Sequence, residues 1–269
     1  MTTPNDSTEM LHPEKTVGQP TSDDPQIRPT DLLSRAYASH LPEWLVIAVA
    51  ALTRLWRLNY HSIWFDESVS LNWSGADPSY TWRVTFQLIE EKHPPVYYVS
   101  LHYWRELLGL FGLSHADAAI RVFGSLLGIL TVVGMLLLVK RLSGRPTGLL
   151  TALLVALSPV LVWYSQELRM FQPAATGAVG TAYALLRAWE GQTWQRRFGW
   201  WLLFALVLEA ALHTYLFSAF VAPAVGLTLL ALAIAGRKTP GTWQRFGEGL
   251  VALTAVTLLF LPLANNAWG

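Results

Sequence analysis

The sequence predicts an all-α, polytopic membrane protein, and three observations carry that expectation. Of its 269 residues 52% are hydrophobic and only 14% charged, against roughly a quarter charged in a soluble domain. The apolar residues fall in blocks of about the ~20 residues that a helix needs to cross a ~30 Å hydrocarbon core. Thirteen Trp and nine Tyr suit the interfacial belts, where amphipathic rings sit at headgroup depth. Cysteine is absent, so neither a disulfide frame nor a thiolate metal site is available. A formal net charge of +1 lacks the basic surplus that a nucleic-acid partner would require.

Taken in chain order, residues 1–40 are rich in Pro, Thr, Ser, Asp and Glu without apolar period and read as a disordered cytoplasmic tail. They lack the basic start and apolar core of a signal peptide. Residues 41–269 read as one transmembrane domain. A first span runs from about Pro42 to Leu58, and a polar, aromatic loop follows from Asn59 to His93. Further apolar blocks occupy about 118–139, 146–165, 172–189, 198–215, 216–235 and 248–264. No fixed period repeats. Short cytoplasmic loops carry the excess of Lys and Arg. This places Lys140, Arg141 and Arg145, then Arg187, Arg196 and Arg197, then Arg237, Lys238 and Arg245 on the inner side. Parity then puts Ser165–Phe171 outside, and it holds only if Pro94–Gly112 does not cross. That segment carries His102, Arg105, Glu106 and Gly109 at i, i+3, i+4 and i+7, the polar stripe of a helix lying in the interface. A true span there, with an external amino terminus, is the alternative.

Several polar groups stand out against this apolar background. Asp66 and Glu67 are adjacent carboxylates just past the first span, about 100° apart on a helix, so that one can face a cleft while the other supports it. An ordinary surface pair is the competing reading. Lys92 and His93 precede Pro94-Pro95, which open a helix whose amino terminus attracts anions; a phosphate fits here, although Lys92 could equally snorkel. Gln166, Glu167 and Arg169 lie at the outer end of the 146–165 span, and Arg121 at the outer start of 118–139, each a candidate headgroup anchor as much as a site group. Glu209 and His213, at i and i+4 inside a span, face either a cavity or each other.

Taken together, Arg54–Leu58 leading into Trp64-Phe65-Asp66-Glu67-Ser68, His93-Pro94-Pro95-Val96-Tyr97-Tyr98, Arg121-Val122-Phe123-Gly124, and Leu157-Ser158-Pro159 followed by Tyr164-Ser165-Gln166-Glu167-Leu168-Arg169-Met170-Phe171 form an ordered set. It resembles the GT-C membrane glycosyltransferases of the protein O-mannosyltransferase and aminoarabinose transferase group, over roughly residues 42–215. The resemblance implies a large extracytoplasmic first loop with interfacial helices and a polyprenyl-phosphate sugar donor. It implies Asp66 as general base, Glu67 beside it, and Glu167 as its partner at the acceptor or a metal. The resemblance places His93 at the carrier phosphate; Lys92, Arg169 and Arg121 are added as further candidate cations for it by their own positions, and Tyr97, Gln166, Glu209 and His213 as possible cavity residues. A divalent metal is left open, with Asp66 and Glu167 as its candidate ligands. Two departures stand out: His93 occupies a position where aminoarabinose transferases have Lys, and Phe171 one where relatives often have Tyr.

The resulting expectation is a plasma-membrane glycosyltransferase that acts outside the cytoplasm. It would transfer a sugar with inversion to a hydroxyl of a glycan, lipid or protein. Family members continue with more spans, so the chain reads as the amino-terminal part of the enzyme. A transporter or flippase is the competing class, suggested by Glu209 and His213, but the internal repeat expected of one is not found.

Overall fold

The computed structural model describes residues 39–268, so the tail expected over residues 1–40 lies almost wholly outside the described residues. The described residues form helices joined by short turns, with no strand among them. In chain order these are α1 (Leu41–Leu55), α2 (Phe65–Gly75), α3 (Pro78–Gln87), α4 (Pro95–Gly109), α5 (Asp117–Ser143), α6 (Arg145–Leu157) and α7 (Pro159–Gln166). They are followed by α8 (Phe171–Glu190), α9 (Trp194–Leu212), a 3-10 turn (Leu216–Phe220), α10 (Val221–Ala235) and α11 (Thr242–Trp268). The all-α membrane class is therefore as the composition predicts. Three stretches, Asp117–Ser143, Leu216–Ala235 and Thr242–Ala267, are long and apolar enough to cross a membrane; α6 and α7 make a fourth if counted as one span bent by 57°. The expected spans at 42–58, 172–189 and 198–215 are helices in the expected places, α1, α8 and α9, but fall short of that length or apolarity.

Packing explains how the less apolar helices are accommodated. On α5 and α8, Thr131 meets Thr176 at 2.9 Å, Gly134 faces Val179, and Arg141 pairs with Glu190. The partners advance together along both helices, so α8 runs parallel to α5. Along α8 and α9 the pairs are Gly177 with Ala211, Gly180 with Val207 and Tyr183 with Trp200, which run in opposite directions. A Cβ on Gly177 would lie 2.7 Å from the Ala211 Cβ, so the small residues set a close approach of the kind that membrane helices use.

The two ends of the bundle differ chemically. At one end Glu43 of α1 accepts from Lys140 at 2.9 Å and from Arg145 at 2.6 Å, Arg141 pairs with Glu190, and Arg197 of α9 pairs with Glu248 of α11 at 2.8 Å. The three basic clusters thus gather at one end, as parity demands. At the opposite end lie the first loop, the start of α5 and the turn between α7 and α8. Here α4 runs across the bundle: Val96 N–H donates to His213 O at the end of α9 (2.9 Å), and Trp104 Nε1 donates to Ala119 O in the first turn of α5 (3.1 Å). Both halves of α4 touch the same end, and its 15 residues make a rod of ~22 Å, too short for the hydrocarbon core.

Half of the polar stripe on α4, Glu106 and Gly109, is exposed, while His102 and Arg105 are covered by α2. His102 Nδ1 lies 3.0 Å from Ser74 O, and Arg105 donates to Leu71 O and Ser74 Oγ, each at 3.0 Å. The last carbonyls of a short helix lack intrahelical donors; in α2 these two side chains reach Leu71 O and Ser74 O, and Thr81 Oγ1 donates to Trp73 O at 2.9 Å.

Candidate active site

The bend between α6 and α7 comes first in the assembly of the site. Pro159 carries no N–H, so Val155 O loses its helical donor and the helix turns away. Arg54, at the end of α1 and 0% exposed, supplies the missing donors: Nη2 to Val155 O and Nη1 to Ala156 O, both 3.0 Å. A cation beside helix-terminal carbonyls is also favourable by dipole. Gly124 and Gly128 of α5 make room, since a Cβ on Gly128 would lie 2.8 Å from Arg54 Nε and one on Gly124 2.7 Å from Ser165 O. Gln166 Nε2 then donates to Arg54 O and Trp56 O, each at 3.1 Å, which caps α1.

Above this base Glu67 and Arg121 close a clamp. Glu67 is 1% exposed and takes a two-pronged pair from Arg121, Nη2 to Oε2 at 2.7 Å and Nε to Oε1 at 3.1 Å. The same Oε1 accepts Leu168 N–H at 3.0 Å, while Arg121 Nη1 donates to Leu58 O and His61 O at 2.8 Å. These charges neutralise each other and join α2, α5, the first loop and the α7–α8 turn.

Asp66, the next residue, points the other way. Its side chain is 35% exposed, with Oδ2 3.5 Å from Arg169 Nη2. Arg169 also donates from Nη1 to Asp66 O at 3.3 Å and lies over the Phe171 ring at 5.6 Å. Phe171 thus offers its ring to the guanidinium, a contact that needs no hydroxyl. Arg169 Nε is buried without a hydrogen-bond partner among the described residues, as is the hydroxyl of Tyr98. Tyr98 is fully buried in the field of Glu91, Arg169 and Asp66. Phe171 meets Tyr215 edge to face at 5.4 Å, and Tyr215 stacks on His93 at 6.2 Å, so aromatic contacts connect Arg169 to His93.

Over residues 92–264 the chain matches the model of the dolichyl-phosphate-mannose-protein mannosyltransferase family. The chain belongs to that family. No curated protein and no solved structure matches it. Within the mannosyltransferase match fall His93, Arg121, Glu167, Arg169 and the Pro94-Pro95 pair, whereas Asp66 and Glu67 precede it.

The remaining candidates divide by place. Glu167 lines a cavity of about 520 Å³ with Arg57, His61, Trp64, Trp163 and Gln166. Burial pushes its carboxyl up, the hydrogen bond from Trp163 Nε1 at 2.6 Å opposes this, and the negative charge of Glu67 adds to the rise. Asp66 is not among the residues lining that cavity. Tyr97 borders a different, largely apolar cavity of about 530 Å³ between α5, α8 and α9. Lys92 Nζ donates to Leu88 O at 2.9 Å and so caps α3, whose C-cap residue Leu88 has φ 55°. Glu209 and His213 pair with each other at 3.2 Å, and the imidazole sits among Trp82, Phe86 and Phe260. Among the described residues no three His, Asp or Glu gather as a metal-binding group. The sequence motifs contain Arg54 and Tyr98 without assigning either a role, and Glu91 stands in none of them. An ionisable residue inside a span was a signal for Arg54, while nothing in the local sequence set Glu91 apart from Glu90.

Proposed function

We propose that this family member transfers a sugar from a polyprenyl-phosphate carrier to an acceptor hydroxyl, on the extracytoplasmic face of the plasma membrane and with inversion. The observation that supports this reading best is the Asp66–Arg169 pair, a half-buried carboxylate and a guanidinium 3.5 Å apart at the end of the bundle opposite the basic clusters. In the proposed reaction the acceptor oxygen attacks the anomeric carbon while its proton passes to Asp66. The bond from that carbon to the carrier phosphate breaks. Arg169 and His93 offset the charge on the departing phosphate, and Glu167 lies on the acceptor side. Glu67 and Arg121, which also form part of the wall of the cavity beside Glu167, hold the site together through their pairing, and Lys92 caps α3.

The test is Asp66→Asn, nearly isosteric and without a proton acceptor. Turnover of a polyprenyl-phosphate sugar should fall by about 10²–10⁴ with donor binding retained. Turnover within about threefold of wild type at equal expression would remove Asp66 from the role, since effects of general bases are far larger.

A further inference from the structure

His93 stands before two prolines on a loop, and a free imidazole there would turn about both side-chain bonds. Two contacts fix it. Its face lies against Tyr215 at 9° between planes, and Glu91 holds its edge: Oε1 is 2.6 Å from Nδ1 and also accepts the His93 backbone N–H at 3.1 Å. Glu91 is itself buried, and its Oε2 accepts Trp73 Nε1 at 3.2 Å. Burial alone would raise the Glu91 carboxyl, but the hydrogen bonds and charge of His93 hold it below its ordinary value.

An ionised carboxylate only accepts, so the proton between the two groups belongs to Nδ1. With Nδ1 so engaged, the neutral ring presents a bare lone pair at Nε2, which repels a phosphate oxygen. The imidazolium alone donates from Nε2. Among the described residues Nε2 makes no hydrogen bond, and the side chain is 27% exposed. We infer that Glu91 is a positioning residue for the donor: acting through His93, it orients the ring and supplies the counter-charge for the form that donates from Nε2 to the carrier phosphate. The inference rests on the proposed polyprenyl-phosphate donor.

Binding of sugar-free polyprenyl phosphate to the purified full chain tests it as a double-mutant cycle. Glu91→Gln should weaken binding about 5–10-fold when His93 is present, less than the loss of a whole charge-assisted contact because His93 itself remains. In a His93→Ala background the same change should matter by less than about twofold, because its route of action is gone. If Glu91→Gln fails to fold, Glu91→Asp is measured under the same criteria, since it keeps the charge but withdraws it from Nδ1. An equal factor in both backgrounds, which a merely structural role would produce, overturns the inference alone. A wild-type chain that does not bind polyprenyl phosphate overturns the donor reading and the inference together.

Discussion

Arg121 offers a contrast between two uses of one cation. As a phosphate ligand it would leave stability untouched when replaced, and donor binding would suffer. As the partner of Glu67, with side chains 3% and 2% exposed, it leaves a buried carboxylate uncompensated, at a cost on the order of 3–5 kcal/mol. Arg121→Met and Glu67→Gln should therefore each lower the thermal unfolding midpoint in detergent by a large margin. The double change Glu67→Leu with Arg121→Met should lose less than the sum of the single losses, since no charge is left uncompensated, but it should not return to wild type because Leu58 O, His61 O and the Leu168 amide still lose their partners. Additive losses in the double variant would refute the clamp. Asp66 escapes this arrangement through the helical turn that separates adjacent side chains, which is why two neighbouring acids end in different environments.

At the scale of elements, the bend at Ser158-Pro159 creates the acceptors that Arg54 fills. Arg54→Met should cost on the order of 3 kcal/mol, because two carbonyls lose charged donors in a water-poor setting. Pro159→Ala returns an N–H to the helix, so in that background the same change should cost clearly less. Unfolding midpoints of the four proteins decide it, and equal losses with and without Pro159 would rule out the acceptor-filling role. Much of the element pattern was legible beforehand. The long apolar block of α5 and the Pro-Pro start of α4 could be read directly, because apolar length and proline geometry are local properties. The partner of Arg54 was not legible, since its acceptors arise from a break about a hundred residues later. The stripe on α4 was legible as a stripe but not as a contact with α2, because periodicity says which face is polar and not what covers it. The candidate site was half legible in the same sense: the acids and cations stood out by type, while their pairing depended on folds in the chain.

At the scale of the whole molecule, the three basic clusters at one end and the crosswise α4 at the other leave the first loop on the side away from the positive charges. The chain has no cysteine, so a single one introduced at the exposed Ser62 reports on sidedness alone. A membrane-impermeant thiol reagent should label it in intact cells; labelling only after the membrane is broken would reverse the orientation. The Glu67 clamp also carries a consequence for the order of biosynthesis. Its three members are Glu67, Arg121 54 residues later, and the Leu168 amide 101 residues later. At about 5–20 residues per second, the ribosome delivers the last of them roughly 5–20 s after the first. The first loop must therefore be translated, and wait with its carboxylate unmatched, before the site can close. A ribosome arrested between Glu67 and Leu168 leaves a nascent chain that holds Asp66 and Glu67 but no closed clamp.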